Sequence, residues 1–114
     1  MMKDIAAVTA RDLEIARDFV QRLKRKIDPA SFGVTLYGSR ARGDAEEESD
    51  LDLFLSLKVD DPDEKIKEAA RNIACDLTLD YGILISVFVA DRQFLQKHQG
   101  YALLEAVEEE GIPL

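Results

Sequence analysis

The sequence predicts a small α+β protein of α/β-like character, in which helices pack on a small mixed β-sheet. Three observations support this prediction. Two alternating segments, 32–37 and 50–57, follow each other without a long helix between them, which is typical of neighbouring strands. A helical segment then leads to a third strand-like segment, 83–89, as in a parallel crossover. Because 114 residues is an ordinary size for one domain, we expect residues 1–114 to form a single domain.

The first element is predicted to be an amphipathic helix over residues 9–27. Thr9 can cap it, and its apolar stripe recurs at helical spacing: Leu13, Ala16, Phe19, Val20, Leu23 and Ile27. Basic residues at 22 and 24–26 suit the negative end of the helix dipole. Asp28 and Pro29 end the helix, because the residue before a proline is disfavoured in the α region.

The first two strands are separated by residues 38–49, which we expect to form a loop or a short helical turn. The segment 50–57 alternates strictly. One face holds four leucines, Leu51, Leu53, Leu55 and Leu57, and the other holds Asp50, Asp52, Phe54 and Ser56. The leucine face is therefore predicted to pack in the core.

Residues 61–64 predict the start of a second long helix, with a cap and a proline in the first turn, and Gly82 its end. Its buried stripe is Ile66, Ala69, Ala70, Ile73, Ala74 and Leu77. Cys75 is expected to be a partly buried small residue of this helix. The segment 83–89 is apolar on both faces, which predicts a central strand covered on both sides.

The last part of the chain predicts two further helices. Asp91 can cap a short helix that runs to about Lys97, and the second helix covers residues 101–110 and closes at Gly111. His98 has no partner at metal-ligand spacing and is expected at the surface.

The composition excludes several classes of protein. The formal charge of −8 disfavours general nucleic-acid binding, because a nucleic-acid binder needs a basic footprint. A single cysteine excludes an internal disulfide and a cysteine-rich zinc site. Neither a membrane-spanning apolar stretch nor a signal peptide is visible, so we expect a cytoplasmic protein without membrane contact.

Two carboxylates on the third predicted element indicate a metal site. Asp50 and Asp52 lie two residues apart on a strand, so they leave the same face with their Cα atoms roughly 6.5–7 Å apart. This face lies opposite the leucines, where acids do not contribute to packing. Hard oxygen ligands at this spacing suit Mg²⁺, which is commonly held by one or two carboxylates together with substrate phosphates.

The loop before these acids has the composition of a phosphate site. Gly38 and Ser39 follow a strand directly, where a glycine allows close backbone approach and a helical turn would offer free N–H groups. Arg40 and Arg42 add positive charge with the fork geometry that phosphate prefers, and Gly43 lets the chain turn back. The combination predicts a site for a nucleoside triphosphate and its Mg²⁺.

The segment 38–53 resembles the motif of the DNA polymerase β nucleotidyltransferase superfamily, in which Gly-Ser and a short loop precede Asp-x-Asp on a strand. It is most similar to the small stand-alone members called minimal nucleotidyltransferases, and the resemblance covers most of the chain. The matching positions are Gly38, Ser39, Arg40, Gly43, Ser49, Asp50, Asp52 and Leu53. The resemblance implies the palm-like fold of that superfamily.

The resemblance also implies an activity, the transfer of a nucleoside monophosphate, expected to be AMP from ATP, to a hydroxyl group. Asp50 and Asp52 would be the catalytic, metal-binding residues and would hold Mg²⁺. Gly38 and Ser39 would bind the β- and γ-phosphates, with Gly43 in the same nucleotide-binding loop. Arg40 or Arg42 would neutralise charge on the departing pyrophosphate.

The chain departs from the family pattern at one position. Active members usually carry a third acid on a neighbouring strand, but the segment 83–89 has none. Ser86 is the expected occupant of that position, and Asp80 and Asp91 flank the segment as alternatives. A site of two carboxylates can still bind one Mg²⁺–nucleotide complex.

Three functions remain open at this stage. The first is AMP transfer to a partner protein, since the resemblance implies a pairing as antitoxin with a small helical HEPN toxin. The second is a weakly active or inactive nucleotide-binding antitoxin that acts by contact, which the missing acid favours. The third is transfer to a small hydroxylated molecule, which the lack of a second enclosing domain disfavours. Assembly into a homo-oligomer is compatible with each.

Overall fold

The fold is built on a four-stranded sheet in the computed structural model, which describes residues 8–59 and 64–114. The elements in chain order are α1 (Ala10–Lys24), β1 (Phe32–Tyr37), α2 (Ser39–Arg42), β2 (Leu51–Leu57), α3 (Glu64–Tyr81), β3 (Ile85–Ala90), α4 (Arg92–Lys97), α5 (Ala102–Glu110) and β4 (Ile112–Pro113). One turn of 3₁₀ helix, Pro29–Ser31, precedes β1. The predicted start of the second long helix at residues 61–63 lies outside the described residues.

The sheet has the spatial order β3–β2–β1–β4. β1 pairs antiparallel with β2 and with β4, whereas β2 pairs parallel with β3 through the α3 crossover. The sheet is therefore mixed and the fold is α+β, as the sequence predicts.

The core lies between the leucine face of β2 and two helices, α1 and α3. All four leucines are buried, and they meet a stripe from α1 that contains Ile15, Phe19 and Leu23. α3 contributes its predicted stripe, of which Ala70, Ile73, Ala74 and Leu77 are buried. Cys75 is exposed rather than partly buried, because it lies beside this stripe and not within it. The alternation of β2 thus fixes which side of the sheet the two long helices cover.

The first helix has the predicted cap but a shorter body. The Thr9 hydroxyl accepts a hydrogen bond from the Asp12 N–H at 3.0 Å. Helical geometry ends at Lys24 rather than at residue 27, yet the N–H groups of Lys26 and Ile27 both donate to the Leu23 carbonyl. The last predicted residues therefore form a closing turn.

The prediction that β3 is a central strand is wrong, because β3 lies at an edge of the sheet. Its apolar character on both faces has another cause. Ile85 packs into the core beside α3, while on the opposite face Phe88 contacts Phe94 of α4, with ring centroids 5.3 Å apart. A strand that is covered on both faces needs apolar residues on both faces, whether it lies in the middle of the sheet or at an edge. The apolar pattern of β3 therefore does not reveal its place in the strand order.

A fourth strand was not predicted. β4 contains only Ile112 and Pro113, and it pairs with Leu36 and Thr35 of β1. The Leu114 N–H extends this ladder by donating to the Val34 carbonyl at 2.9 Å. Two residues, one of them a proline at a sheet edge, give no periodic signal in a sequence.

No helix within the two described ranges combines the length and the apolar character needed to cross a bilayer.

Candidate active site

Three polar side chains lie in a row across three strands, on the face of the sheet opposite the leucines. Asp52 of β2 is paired with Tyr37 of β1 on one side and with Ser86 of β3 on the other. Directly paired residues place their side chains on the same face of a sheet. Ser86 therefore lies beside Asp52, at the position that the sequence predicts for it.

The two predicted metal ligands sit at the start of β2. Asp50 is exposed and lies just before the strand, whereas Asp52 lies within it and is half-buried. Burial raises the pKa of Asp52, the charge of Asp50 raises it further, and Arg42 lowers it in part. The pKa of Tyr37 is also raised, by burial and by the charge of Asp52. This end of the sheet thus carries negative charge that a cation would compensate.

Gly38 joins β1 to α2 directly against Asp52. Its φ of 80° and ψ of −161° belong to a region that side-chain-bearing residues avoid. A Cβ atom at this position would overlap the Asp52 Oδ2 atom. The positive φ that the sequence suggests for this glycine is therefore present, and the Asp52 carboxylate occupies the space that a side chain would need. Close approach of this backbone to a ligand stays a prediction.

α2 is the short helical turn expected after β1. The Gly38 carbonyl accepts from the N–H groups of Ala41 and Arg42, both at 3.1 Å. Gly43 ends the turn with a φ of 83°, and the N–H groups of Gly43 and Asp44 donate to the Ser39 carbonyl. The N–H groups of Ser39 and Arg40 come before the first donor of the turn, so helical geometry gives them no acceptor within it.

The two arginines of this turn have different surroundings. The Arg40 guanidinium donates to the Asp12 carboxylate and to the carbonyl oxygens of Glu47 and Ser49. Since Nε and both Nη atoms are engaged, Arg40 holds the protein together instead of facing the site. Neutralisation of pyrophosphate by Arg40 would require the guanidinium to leave these contacts, and a role of Arg40 or Arg42 toward pyrophosphate stays a prediction.

Arg42 is the arginine beside the carboxylates. It is exposed, its charge reaches Asp52, and it pairs with Asp44 at 3.2 Å and with Glu110 of α5 at 2.9 Å. Surface ion pairs of this kind are weak. Arg42 can therefore exchange these carboxylates for a phosphate.

The two alternative third acids are committed elsewhere. Asp80 pairs with Arg22 at 3.0 Å, on the helix-covered side of the sheet. Asp91 caps α4 by accepting from the Phe94 N–H at 2.7 Å, at the opposite end of β3 from Ser86. Within residues 8–59 and 64–114, no group of three His, Cys, Asp or Glu side chains is placed to hold a metal. Asp50 and Asp52 are therefore two candidate ligands without a third carboxylate, imidazole or thiolate beside them in this part of the chain.

Sequence reasoning missed three features, two of them beside the candidate site and one in the aromatic group of α4. Asp12 is buried beneath α2, and a charged residue on the same helical face as Ile15, Ala16 and Phe19 was a signal that could have found it. Glu110 reaches Arg42 from the distant α5, which no local pattern reveals. His98 is half-buried, not at the surface, because it stacks on Phe94 with centroids 4.2 Å apart.

Comparison with known proteins decides the family. Residues 14–106 match the family model described as "Nucleotidyltransferase domain". The chain belongs to this family. As a nucleotidyltransferase, it is an enzyme by family, and its Gly-Ser turn and Asp-x-Asp strand lie inside the matched region.

Two curated relatives of this nucleotidyltransferase come from Methanocaldococcus jannaschii. "Putative protein adenylyltransferase MJ0604" is 32% identical over 95 residues, covering 83% of this chain and 89% of the relative. "Putative protein adenylyltransferase MJ0141" is 41% identical over 76 residues, covering 67% of this chain and 72% of the relative.

Solved structures share the fold. A crystal structure of a mutant toxin–antitoxin MntA–HpeT superimposes with a TM-score of 0.52 and 20% identity, covering 86% of this chain and 70% of the other. A crystal structure of a toxin–antitoxin with AMP-PNP gives a TM-score of 0.53 and 20% identity, covering 83% and 68%.

Proposed function

We propose that this nucleotidyltransferase transfers AMP from an Mg²⁺–ATP complex to a hydroxyl group of a partner protein. The observation that carries the proposal is the close approach of the Gly38 backbone to Asp52, since a Cβ atom at Gly38 would overlap the Asp52 Oδ2 atom. This approach supports a phosphate-binding role for the turn that lies beside the two carboxylates. The names of the two archaeal relatives, which describe protein adenylyltransferases, support the choice of nucleotide and acceptor.

In this proposal each residue has a separate role. The N–H groups at Ser39 and Arg40 bind the β- and γ-phosphates, and Gly38 lets the backbone approach them. Arg42 leaves Glu110 and Asp44 to contact the departing pyrophosphate. Gly43 turns the loop back, and Arg40 supports it from below.

Asp50 and Asp52 would hold Mg²⁺. Their donor set fits this ion, because carboxylates are hard oxygen ligands and Mg²⁺ is commonly held by one or two of them together with substrate phosphates. When bound, the ion would neutralise charge on the phosphates and on the leaving group. Asp52 lies between Tyr37 and Ser86, where the hydroxyl group of the partner protein would approach.

The partner we propose is a toxin of the HEPN type, with this chain as its antitoxin, in the cytoplasm where ATP and Mg²⁺ are abundant. The toxin–antitoxin complexes that share this fold support the pairing, one of them with the ATP analogue AMP-PNP. A second function is favoured by one observation. Ser86 is paired with Asp52, at the position where the resemblance implies a third acid in active members. A site that binds nucleotide but transfers slowly would act on its partner by contact.

Label transfer from ATP distinguishes these functions. The chain is incubated with the product of an adjacent small gene, Mg²⁺ and ATP labelled at the α-phosphate, and the partner is analysed by intact mass. We expect one AMP per acceptor site, abolished by Asp52→Asn and retained by Asp76→Asn on the distant surface of α3. Neutralisation of the partner without label would support contact, and label on a small hydroxylated molecule alone would contradict the proposal.

A further inference from the structure

One buried guanidinium connects three segments that meet beneath the nucleotide site. Arg40 belongs to α2, and its Nε and Nη2 atoms donate to the Ser49 carbonyl at 3.0 and 2.8 Å. Nη2 also donates to the Glu47 carbonyl at 3.1 Å. Its Nη1 atom donates to both carboxylate oxygens of Asp12 at 3.1 and 3.2 Å. The side chain is only 11% exposed.

Asp12 fixes this guanidinium from the side of α1. Its own side chain is 5% exposed, and it is the buried charged residue of the described part of the chain. A buried carboxylate is costly unless it is paired and hydrogen-bonded, and Arg40 supplies both for Asp12. α1 is itself anchored in the core through the neighbouring residues Ile15, Ala16 and Phe19, so Asp12 holds the guanidinium at a fixed position.

The contacts of Arg40 define the distance between the two halves of the site. Ser49, whose carbonyl Arg40 holds twice, is followed immediately by Asp50. Arg40 itself is the next residue after Ser39. The segment is braced further, since the Glu46 N–H donates to the Ser49 hydroxyl and the Ser49 N–H to the Glu46 carbonyl. A shift of the guanidinium would therefore move the phosphate-binding turn and the carboxylate pair relative to each other.

We infer that Asp12 is a positioning residue for nucleotide binding: acting through Arg40, it holds the Gly38–Ser39 turn at the spacing from Asp50 and Asp52 that a nucleoside triphosphate with its divalent cation requires. The inference rests on the proposed function of this site. According to this inference, α1 increases the affinity for ATP although none of its residues contacts the nucleotide.

The first test compares two aspartates of α1. Asp12→Asn keeps the shape of the side chain but removes its charge, and Asp18→Asn removes the partner of Arg22 and Tyr81 far from the turn. ATP affinity is measured by titration calorimetry with Mg²⁺, well below each melting temperature. We expect Asp12→Asn to weaken binding about 10- to 100-fold and Asp18→Asn to leave it within about twofold. Asp12→Glu, which restores the charge, should recover part of the loss.

A second variant separates positioning from stability. Replacing a buried ion pair by apolar residues of similar volume often preserves folding, so the double variant Asp12→Leu, Arg40→Met keeps the interior filled. The carbonyls of Glu47 and Ser49 nevertheless lose their donor. We expect this folded variant to bind ATP at least tenfold more weakly, with faster amide hydrogen exchange at residues 44–50.

The possible outcomes are distinct. Unaltered ATP affinity and exchange in the folded double variant would overturn the inference, as would equal weakening by Asp12→Asn and Asp18→Asn. If the unmodified chain itself fails to bind ATP with Mg²⁺, the proposed function fails, whereas the exchange at residues 44–50 still reports whether Asp12 and Arg40 hold the loop.

Discussion

The two faces of β2 differ in burial and in charge. Leu51, Leu53 and Leu55 point to α1 and α3 and are completely buried. One residue away along the same strand, Asp52 points to the opposite face, where burial and a second carboxylate raise its pKa. One face of the strand thus belongs to the core, and the other face holds the candidate metal ligands.

This difference shows how a small chain can hold acids without weakening its core. The charges of Asp50 and Asp52 remain on a face that α1 and α3 do not cover, so the helices pack on apolar side chains of the sheet. Farther along that second face, Phe54 stacks on Phe88 with centroids 5.7 Å apart and closes the sheet away from the site. Substitutions on the two faces should accordingly affect different properties.

The largest effect on stability is expected from the leucine face. Leu53→Ala leaves a cavity between β2 and the helices and should lower the free energy of unfolding by about 2–5 kcal/mol, measured by urea denaturation. Leu84→Ala is the matched control, because Leu84 is 56% exposed and its truncation should cost less than about 0.5 kcal/mol. Equal costs would contradict the assignment of the core to the leucine face.

The next largest effect is expected at Gly38, whose backbone lies against Asp52. Gly38→Val forces a side chain into a glycine-only region and against Asp52, at about 1–3 kcal/mol for the backbone alone. We also expect it to abolish measurable ATP binding, whereas Ser39→Ala, which keeps the backbone N–H, should weaken binding only a few-fold.

Gly100→Val controls for backbone strain in this experiment. Gly100 has a similar φ of 85°, but a Cβ there would contact nothing within 4 Å. The variant should lose stability and keep its ATP affinity. If Ser39→Ala or Gly100→Val impaired ATP binding more than Gly38→Val, the Gly38 turn would not be the phosphate site.

A smaller effect is expected where an acid is added to the chemical face. Ser86→Asp places a third carboxylate directly beside Asp52 and should cost up to about 1 kcal/mol without metal, since like charges on paired strands repel. Added Mg²⁺ should raise the melting temperature of this variant more than that of the parent or of Ser86→Asn. A loss of stability with no larger response to Mg²⁺ would show that Ser86 does not border a metal site.

The smallest stability effect is expected from removing the strand acid. The pKa of Asp52 is raised in the folded state from the ordinary value of 3.8, so the folded state binds this proton more tightly than the unfolded state does. The free energy of unfolding therefore falls as the pH rises from 3.8 through the raised pKa. Asp52→Asn should lack this fall and gain less than about 0.5 kcal/mol near neutral pH. Urea midpoints between pH 3 and 8 measure it.

Asp50→Asn should remove only part of this pH dependence. It removes one of the two causes of the raised pKa and leaves burial, so its pH dependence should lie between the other two. Identical curves for all three proteins would refute the charge environment described for this face. Both Asn variants should lose Mg²⁺-dependent ATP binding, by at least about tenfold.

The sequence by itself determined most of the elements and the choice of the candidate site residues. Alternation in β2 separated leucines from acids, and the cap at Thr9, the breaks at Gly43 and Gly82 and the cap at Asp91 all hold in the structure. These features depend on neighbours a few residues away. A sequence displays such short-range order directly, because side-chain direction follows from the strand or helix period.

Only the tertiary structure decided which arginine faces the site. Arg40 and Arg42 are two residues apart and equally suited to phosphate, but α1 lies beneath the turn, and Asp12 binds Arg40 from 28 positions away. The position of β3 at the edge, the strand β4 and the contact of Glu110 with Arg42 are of the same kind. Each depends on where distant segments meet, and that meeting is fixed by packing of the whole core, which no local pattern encodes.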